Sequence, residues 1–436
     1  MSVEPVSAAP WARRFASARG SLPDAPAPRL RAARDRAWAR FARHGFPTTR
    51  VEAWKYTNLS ALAVAEFAAP VASPITPDIA AHILTGAHYR LVFVNGRHQA
   101  ALSDVADLPA GVRIDSLAAM AVLSPEAVAD LLGDDGDGDA DSLAALNGAL
   151  APEGAMIRID DGVTVDRPIQ LLFLSHGDVP MAMQMRSAIV AGSDASVTVV
   201  ESHVGLGHAG HWINAVTRLH AAEGASLSHH ILQAQNQSSW HTARTVAEVA
   251  AGATYGNGLF ATGAKTARQE LHVSYTGDNA KAVLRGAHLG QGDQHLDYSS
   301  NIAHAMPDGR SDQVFKAAVR GKSQSVFQGR LAVAIDAQRT DAQQICRNLL
   351  LDDGAVAYAK PELEILADDV KCSHGATIGD LDATSLFYLR ARGIGETEAR
   401  AMLIDAFIAD TFADVAEPGV QLAYRRLLDA WLETAP

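Results

Sequence analysis

The distribution of apolar and polar residues divides the chain into three parts. From Ser21 to Asn147, helix-like spacing alternates with proline-rich joints, and one strand-like run extends from Tyr89 to Gly96. The stretch "RLRAARDRAWARFARHGFP" predicts a helix that ends at Gly45 and Pro47. Its apolar stripe comprises Leu30, Ala33, Ala37, Trp38 and Phe41. We therefore expect a mostly helical N-terminal domain over residues 1–150.

The middle of the chain, from about Met156 to Asp369, consists of short β-rich runs separated by glycine turns. Glycine followed by small residues and then by apolar positions recurs at six places: Gly192, Gly224, Gly252, Gly277, Gly321 and Gly354. The intervals are 32, 28, 25, 44 and 33 residues. Repeats of this length predict a solenoid of stacked parallel strands. We predict a mainly β fold with a right-handed parallel β-helix over residues 151–379, and a β-sandwich is the open alternative.

The last part, residues 380–436, returns to helical spacing and predicts three amphipathic helices. The first, "DATSLFYLRARG", has Asp382 as its N-cap and Gly393 just after its end. Two further segments predict helices with apolar stripes, namely Ala399, Met402, Leu403, Ala406 and Phe407 in one and Leu427, Leu428 and Trp431 in the other.

Composition excludes several classes of protein. The formal net charge of −12 argues against a general binder of nucleic acid or membrane surfaces, because such proteins concentrate Lys and Arg. The longest apolar runs are far shorter than the roughly 20 residues that cross a bilayer. No Walker A loop is present, so we do not expect the chain to hydrolyse ATP. Two cysteines and the lack of a secretory signal predict a cytoplasmic protein.

Three local patterns suggest ligand sites, but each has a simpler interpretation without a ligand. "GLGHAG" at Gly205–Gly210 has dinucleotide-site spacing, yet a strand-like run and not a helix follows it. The acidic stretch Gly133–Ser142 lacks the glycine and glutamate of a calcium loop. Seven histidines are grouped loosely at His203, His208, His211, His220, His229, His230 and His241. In stacked strands such side chains are more often buried polar fillers than metal ligands.

Cys372 and His374 stand two residues apart in "VKCSHGATIGD". If this stretch is extended, the thiol and the imidazole lie on the same face. Both groups suit zinc, copper or iron, but a closed site normally takes four ligands. The chain adds only Cys346, other histidines and carboxylates. The pair is therefore either structural or half of a site that is shared with another chain.

Three stretches resemble the SufB/SufD family of iron-sulfur cluster assembly scaffolds, and specifically its SufD members. They are "RVEAWKYTNLSAL", "SDQVFKAAVRGKSQSVFQGRLAVAIDAQRTDAQQ" and "DDVKCSHGATIGDLDATSLFYLRARGI". The resemblance implies a parallel β-helix between helical parts and a subunit that is not an enzyme by itself. It implies pairing with a SufB-like subunit, or with a second copy when isolated. It also implies docking of a SufC-like ABC-type ATPase on the C-terminal helices, with these contact residues: Leu386, Phe387, Tyr388, Arg390, Arg392, Met402 and Phe407.

The resemblance also implies a nascent iron-sulfur cluster, held transiently at the subunit interface by His374 and facing a cysteine of the SufB-like partner. Cys372 and Cys346 are the accompanying candidates, and bound iron is a further expectation. Cys346 lies 28 residues before His374, where SufB carries its own cluster cysteine, so it is either a retained ligand or a small buried residue. The rival hypotheses are a carbohydrate-active β-helix enzyme and the sister scaffold SufB itself.

Overall fold

The computed structural model describes residues 9–20, 22–23, 27–70, 78–133 and 138–434. The described residues form nine α-helices: α1 Ala9–Ala18, α2 Pro28–His44, α3 Ser60–Val64, α4 Leu117–Leu123, α5 Pro125–Gly133, α6 Ser142–Leu150, α7 Ala383–Ala391, α8 Glu396–Ala409 and α9 Pro418–Glu433.

The strands alternate between two sheets. The ten-stranded sheet contains β1 Tyr89–Val94, β2 Arg97–His98, β5 Ile169–His176, β7 Ser196–Leu206, β9 Ser226–Ala234, β11 Thr254–Ala261, β13 Lys281–Gly290, β15 Arg310–Val319, β17 Asp341–Leu350 and β19 Lys371–Gly379. The nine-stranded sheet contains β3 Val112–Ser116, β4 Ala155–Ile159, β6 Ala182–Ala191, β8 Trp212–Ala221, β10 Trp240–Val249, β12 Thr266–Tyr275, β14 His295–His304, β16 Gln324–Val333 and β18 Val356–Ile365.

Consecutive strands lie in opposite sheets, and each strand pairs in parallel with the strand two places further along the chain. The exceptions lie at the start of the solenoid, where β1–β2 and β3–β4 are antiparallel pairs within one sheet and β1 pairs in parallel with β5. The chain thus winds through about seven turns of a flattened parallel β-solenoid with its main hydrophobic core between the sheets. The predicted parallel β-helix is confirmed, and the β-sandwich alternative is wrong.

Left-handed turn residues account for part of the glycine repeat in the sequence. Gly224 and Gly252 have φ of 69° and 64°, and each N–H donates to a carbonyl of the next coil. Glycine adopts this conformation without strain, whereas in the repeats that begin at Gly192 and Gly277 the left-handed residues are Asp194 and Asn279. The first four repeat glycines precede strands of the ten-stranded sheet, whereas Gly321 and Gly354 precede strands of the other sheet. The interval of 44 residues is therefore longer because the glycine moves from the turn before one sheet to the turn before the other.

Helices α1, α2 and α6 of the N-terminal part pack on the outer face of the nine-stranded sheet. Helix α2 ends at Gly45 and buries its predicted apolar stripe, apart from the half-buried Trp38. Together with α6 it encloses Trp212, which is fully buried on β8. Strand β3 was not predicted from the sequence. Residues 134–137 of the acidic stretch lie outside the described residues.

Helices α8 and α9 cover the outer face of the ten-stranded sheet, and the structure corrects one predicted stripe. On α8 the buried residues are Ala399, Ile404 and Ile408, while the predicted Met402 is 46% exposed. The apolar residues of α8 are spread around the helix, so spacing alone could not identify its inner side. On α9, Leu428 and Trp431 are buried as predicted. In the described chain, no helix is long and apolar enough to cross a membrane.

Candidate functional site

The solenoid ends at two strands that have a free edge. Strand β18 pairs only with β16, and β19 pairs only with β17 within the described chain. Large apolar side chains remain exposed around this open end, including Tyr358 at 40%, Leu366 at 64% and Ile378 at 48%. Unpaired edges with exposed apolar side chains are typical of surfaces that another chain covers.

Cys372 and His374 lie on β19, at this open end. The strand is extended, so the two side chains share one face, as the spacing predicted. Cys372 is opposite Ala342 of β17, and His374 is opposite Gln344. The imidazole is exposed, whereas the thiol is half-buried and packs against the apolar cluster that includes Leu331 and Ala342. Burial and the nearby Asp341 raise the pKa of Cys372, which keeps this group a neutral thiol.

Cys346 lies on the neighbouring strand β17, inside the core. Its register partner is Ala376, so it is displaced along the strand from both Cys372 and His374. The side chain is 0% exposed, and Asn348 Nδ2 donates to its Sγ over 3.2 Å. Burial raises the pKa of Cys346 to about 12. In this conformation Cys346 is a buried thiol and not an accessible ligand.

Helix α7 follows β19 after three residues and buries none of its side chains. Asp382 caps it as predicted, since its carboxylate accepts a hydrogen bond from Ser385 N. Phe387 is 73% exposed and Tyr388 is 55% exposed. The guanidinium of Arg392 stacks on the Tyr388 ring at 4.5 Å. An exposed aromatic pair on a short helix is an unusual surface for a protein that acts alone.

The other predicted docking residues differ in accessibility. Arg390 forms an ion pair with Glu396 over 3.2 Å, and Leu386 is half-buried. Phe407 is also half-buried, because Lys316 Nζ lies 5.0 Å from its ring and donates to its carbonyl. Met402 is exposed on α8. The accessible part of this surface is therefore centred on α7.

Two family models together account for most of the chain. The "SUF system FeS cluster assembly, SufBD core domain" matches residues 173–407, and the "SufBD protein N-terminal region" matches residues 7–171. The chain belongs to the SufBD family.

Relatives in the SufBD family align over most of their length. An iron-sulfur cluster assembly SufBD family protein of Synechocystis is 34% identical over 388 residues, which are 86% of this chain and 85% of the relative. The iron-sulfur cluster assembly protein SufD of Escherichia coli is 31% identical over 388 residues, 87% and 88% of the two chains. A chloroplastic protein of Arabidopsis thaliana is 30% identical over 371 residues, which are 83% of this chain and 78% of the relative.

The "EAWKYTNL" segment of this SufBD chain lies along the outer face of the nine-stranded sheet. The guanidinium of Arg268 is 4.1 Å from the Trp54 ring and donates to Ala53 O. At the open end, Tyr56 stacks on Tyr358 with the ring centroids 4.9 Å apart. Lys360 Nζ lies 2.5 Å from Glu52 Oε1. The N-terminal part is thus attached to the terminal strand β18, which the sequence did not reveal.

Most of the grouped histidines are buried and hydrogen-bonded inside the SufBD solenoid. His203 and His229 both contact Glu201, over 3.2 Å each. Burial raises the pKa of this carboxyl, but the hydrogen bonds from the two histidines outweigh burial and lower it below its usual value. Within the described residues, no group of three or more His, Cys, Asp or Glu side chains could hold a metal ion. These histidines therefore act as polar residues of the core.

We predict that one buried histidine makes stability depend on pH. Burial lowers the pKa of His288 to about 3, so below pH 6.5 the unfolded chain binds a proton that the folded chain does not. The contribution of His288 to the free energy of unfolding is therefore lost as the pH falls. In His288→Gln, the fall in the free energy of unfolding between pH 6.5 and pH 4 should be less steep than in the wild type by about 1.4 kcal/mol per pH unit.

Urea denaturation of the wild type and His288→Gln from pH 8 to pH 4 measures this effect. At pH 8 the imidazole is neutral in both states, so the difference there gives the packing cost of the substitution alone. If the free energies of unfolding of the two proteins fall in parallel at lower pH, His288 is protonated in the folded chain as well.

Proposed function

We propose that this chain is a SufD-type scaffold subunit that pairs with a SufB-like sister subunit and holds a nascent iron-sulfur cluster between them. The observation that carries the proposal is the exposed imidazole of His374 on the last, one-sided strand of a SufBD fold. The cluster is the cargo of the assembly and not a resident cofactor. The presence of SufD-named relatives and the low thiol content favour a SufD-type over a SufB-type subunit.

The imidazole supplies one ligand, and the remaining ligands would come from the partner subunit. A neutral imidazole binds iron without the negative charge that a thiolate adds, which suits a cluster that must later be released. Cys372 shares the face of His374 and is half-buried, so it is the second candidate within this chain. Cys346 is a weaker candidate because its thiol is enclosed.

The free edges of β18 and β19 give the proposed pairing a physical basis. Each edge offers unpaired N–H and C=O groups, and a partner solenoid with similar edges would satisfy them. Burial of Ile378 and Leu366 would add to the association. The same surface explains the expected homodimer of the isolated chain, because a twofold axis can pair one edge with its own copy.

Light scattering tests the pairing. We expect the isolated chain to be a dimer at micromolar concentration and to form a one-to-one heterodimer after co-expression with the SufB-like subunit. Ile378→Lys, which places a charge on the free edge, should weaken both dimers, whereas Val179→Lys, at a similarly exposed site on the loop before β6, is the control. A monomer under all conditions, with no heterodimer, would contradict the pairing.

We further propose that α7 docks a SufC-like ABC-type ATPase. Only residues 380–382 separate α7 from β19, so movement of α7 would be transmitted directly to the strand that carries His374. This connection would couple ATP-driven motion to opening of the shared site. The subunit itself would not be an enzyme, and we expect it to act in the cytoplasm.

The rival hypothesis, a carbohydrate-active enzyme, needs two carboxyl groups in an accessible groove. Three buried carboxylates of the solenoid are instead paired with cationic or imidazole partners. Glu201 contacts two histidines, while Glu270 and Asp297 form ion pairs with Arg268. We therefore favour the scaffold.

A further inference from the structure

We propose that Gln344 positions His374. Its side-chain oxygen, which has no hydrogen-bond partner among the described residues, would accept from one ring N–H of His374 once the exposed imidazole turns toward β17, and the other ring nitrogen would be left free for iron at the open end. The inference about iron rests on the proposed function, whereas the hydrogen bond itself is a property of this chain alone.

The register of the last two strands places the two residues side by side. Gln344 on β17 is directly opposite His374 on β19, in a parallel pair. Adjacent strands are about 4.8 Å apart, so register partners on one face are nearest neighbours. The side chain of Gln344 belongs to the buried alternation of β17, together with Ala342 and Cys346. His374 therefore extends over the end of the solenoid next to Gln344.

The hydrogen bonds of Gln344 leave one atom available. The residue is 0% exposed, and its Nε2 donates to Gln313 Oε1 over 2.9 Å. Gln313 in turn is bonded to Ser300 Oγ, which fixes the orientation of both amides. Gln344 Oε1 is buried and has no hydrogen-bond partner among the described residues. A buried amide oxygen without a partner is unfavourable, and the ring N–H of the adjacent histidine is a suitable donor.

The proposed bond has a defined consequence for the imidazole. A histidine that binds metal through one nitrogen is usually oriented by a hydrogen bond from the other, which also fixes the tautomer. Without that bond, the exposed ring of His374 would rotate and exchange its proton between both nitrogens. Gln344 thus acts through His374 and is a positioning residue, with no contact to the cluster required.

Asn348 offers a matched control on the same strand. It is also a buried amide of β17, its Nδ2 donates to Cys346 Sγ and to Thr377 O, and its Oδ1 likewise has no partner among the residues that the structure describes. Its register partner is Ile378, which cannot bind iron. Asn348→Leu and Gln344→Leu therefore remove comparable amides, but only Gln344→Leu removes the neighbour of His374.

The first test uses the isolated chain with ¹⁵N-labelled histidine and nuclear magnetic resonance. The His374 signals are assigned by their absence in His374→Ala. We expect one tautomer in the wild type and in Asn348→Leu, and a mixture of both tautomers in Gln344→Leu. An unchanged tautomer in Gln344→Leu, or a mixture in the wild type, would overturn the proposal.

The second test uses the complex with the SufB-like subunit and the ATPase. Iron per complex should fall at least threefold in Gln344→Leu relative to Asn348→Leu. The comparison requires that the two variant complexes have equal melting temperatures, so that a difference in stability does not account for the loss. If Gln344→Leu keeps its iron while His374→Ala loses it, the positioning role is wrong and the cluster site stands. If both variants keep their iron, the cluster site of the proposed function is itself wrong.

Discussion

Replacement of Phe387 by Ser should weaken binding of the ATPase about 30-fold and leave the chain as stable as the wild type. Phe387 is 73% exposed on α7, a helix that buries no side chain, so its removal takes nothing from the core. If α7 is the docking helix, this aromatic ring is its largest accessible anchor. Anchors of this kind cost 2 kcal/mol or more when truncated, which corresponds to a Kd about 30-fold higher.

Calorimetric titration of the purified chain with the ATPase measures the effect. Val122→Ser is the matched control, because Val122 is 75% exposed near the end of α4, in the N-terminal part. An equal Kd for Phe387→Ser and the wild type would exclude α7 as the docking surface. A single substitution is more informative than truncation after Gly379, because α8 and α9 bury Ile408 and Leu428 against the solenoid.

The local features of the fold were predictable from the sequence because they depend on near neighbours. The stripe of α2, the glycine that ends it and the carboxylate cap of α7 are set within a few residues along the chain. The solenoid was predictable for a related reason. Turns recur at similar intervals between the strands, and glycine, aspartate or asparagine occupies their left-handed positions, as at Gly224, Asp194 and Asn279.

Features that depend on distant partners were not predictable. The inner side of α8 is set by what Ile404 and Ile408 contact on the ten-stranded sheet. The contact between Tyr56 and Tyr358 joins residues about 300 positions apart and has no pattern of its own. Similarly, Ile378 and Leu366 are residue types that are typical of a core, and their exposure follows from their position at the free edge of the solenoid.

The candidate site was predictable only in part. Alternation along a strand placed Cys372 and His374 on one face, since that relation is local. The position of Cys346 depends on the pairing of β17 with β19, which puts Ala376 beside it instead of His374. No sequence pattern distinguishes Gln344 from the other glutamines, because its importance lies in this same register.

We expect His374→Ala to lower the cluster content of the assembled complex at least tenfold without affecting assembly. The side chain is exposed and makes no hydrogen bond that would hold the fold together in the described chain. Substitutions at such surface positions usually change stability by less than about 0.5 kcal/mol. Loss of the one accessible imidazole of β19 would, however, remove the ligand that this subunit contributes.

The two cysteine variants should be milder than His374→Ala. Cys346 is enclosed, and burial raises its pKa to about 12, so formation of the thiolate that binds iron is disfavoured. Cys372 is half-buried, and its pKa is raised as well. Ser373→Ala, at the exposed position between Cys372 and His374, is the control for disturbance of the strand.

The most direct measurement is the iron and sulfide content, with the visible absorbance, of the complex co-expressed with the SufB-like subunit and the ATPase. The wild type, Ser373→Ala and His374→Ala are compared at equal complex concentration. A scaffold that shares its cluster site through His374 predicts a coloured, iron-loaded complex for the first two and a nearly colourless complex for His374→Ala. Equal iron and sulfide in all three would contradict the shared site and leave His374 as a surface residue.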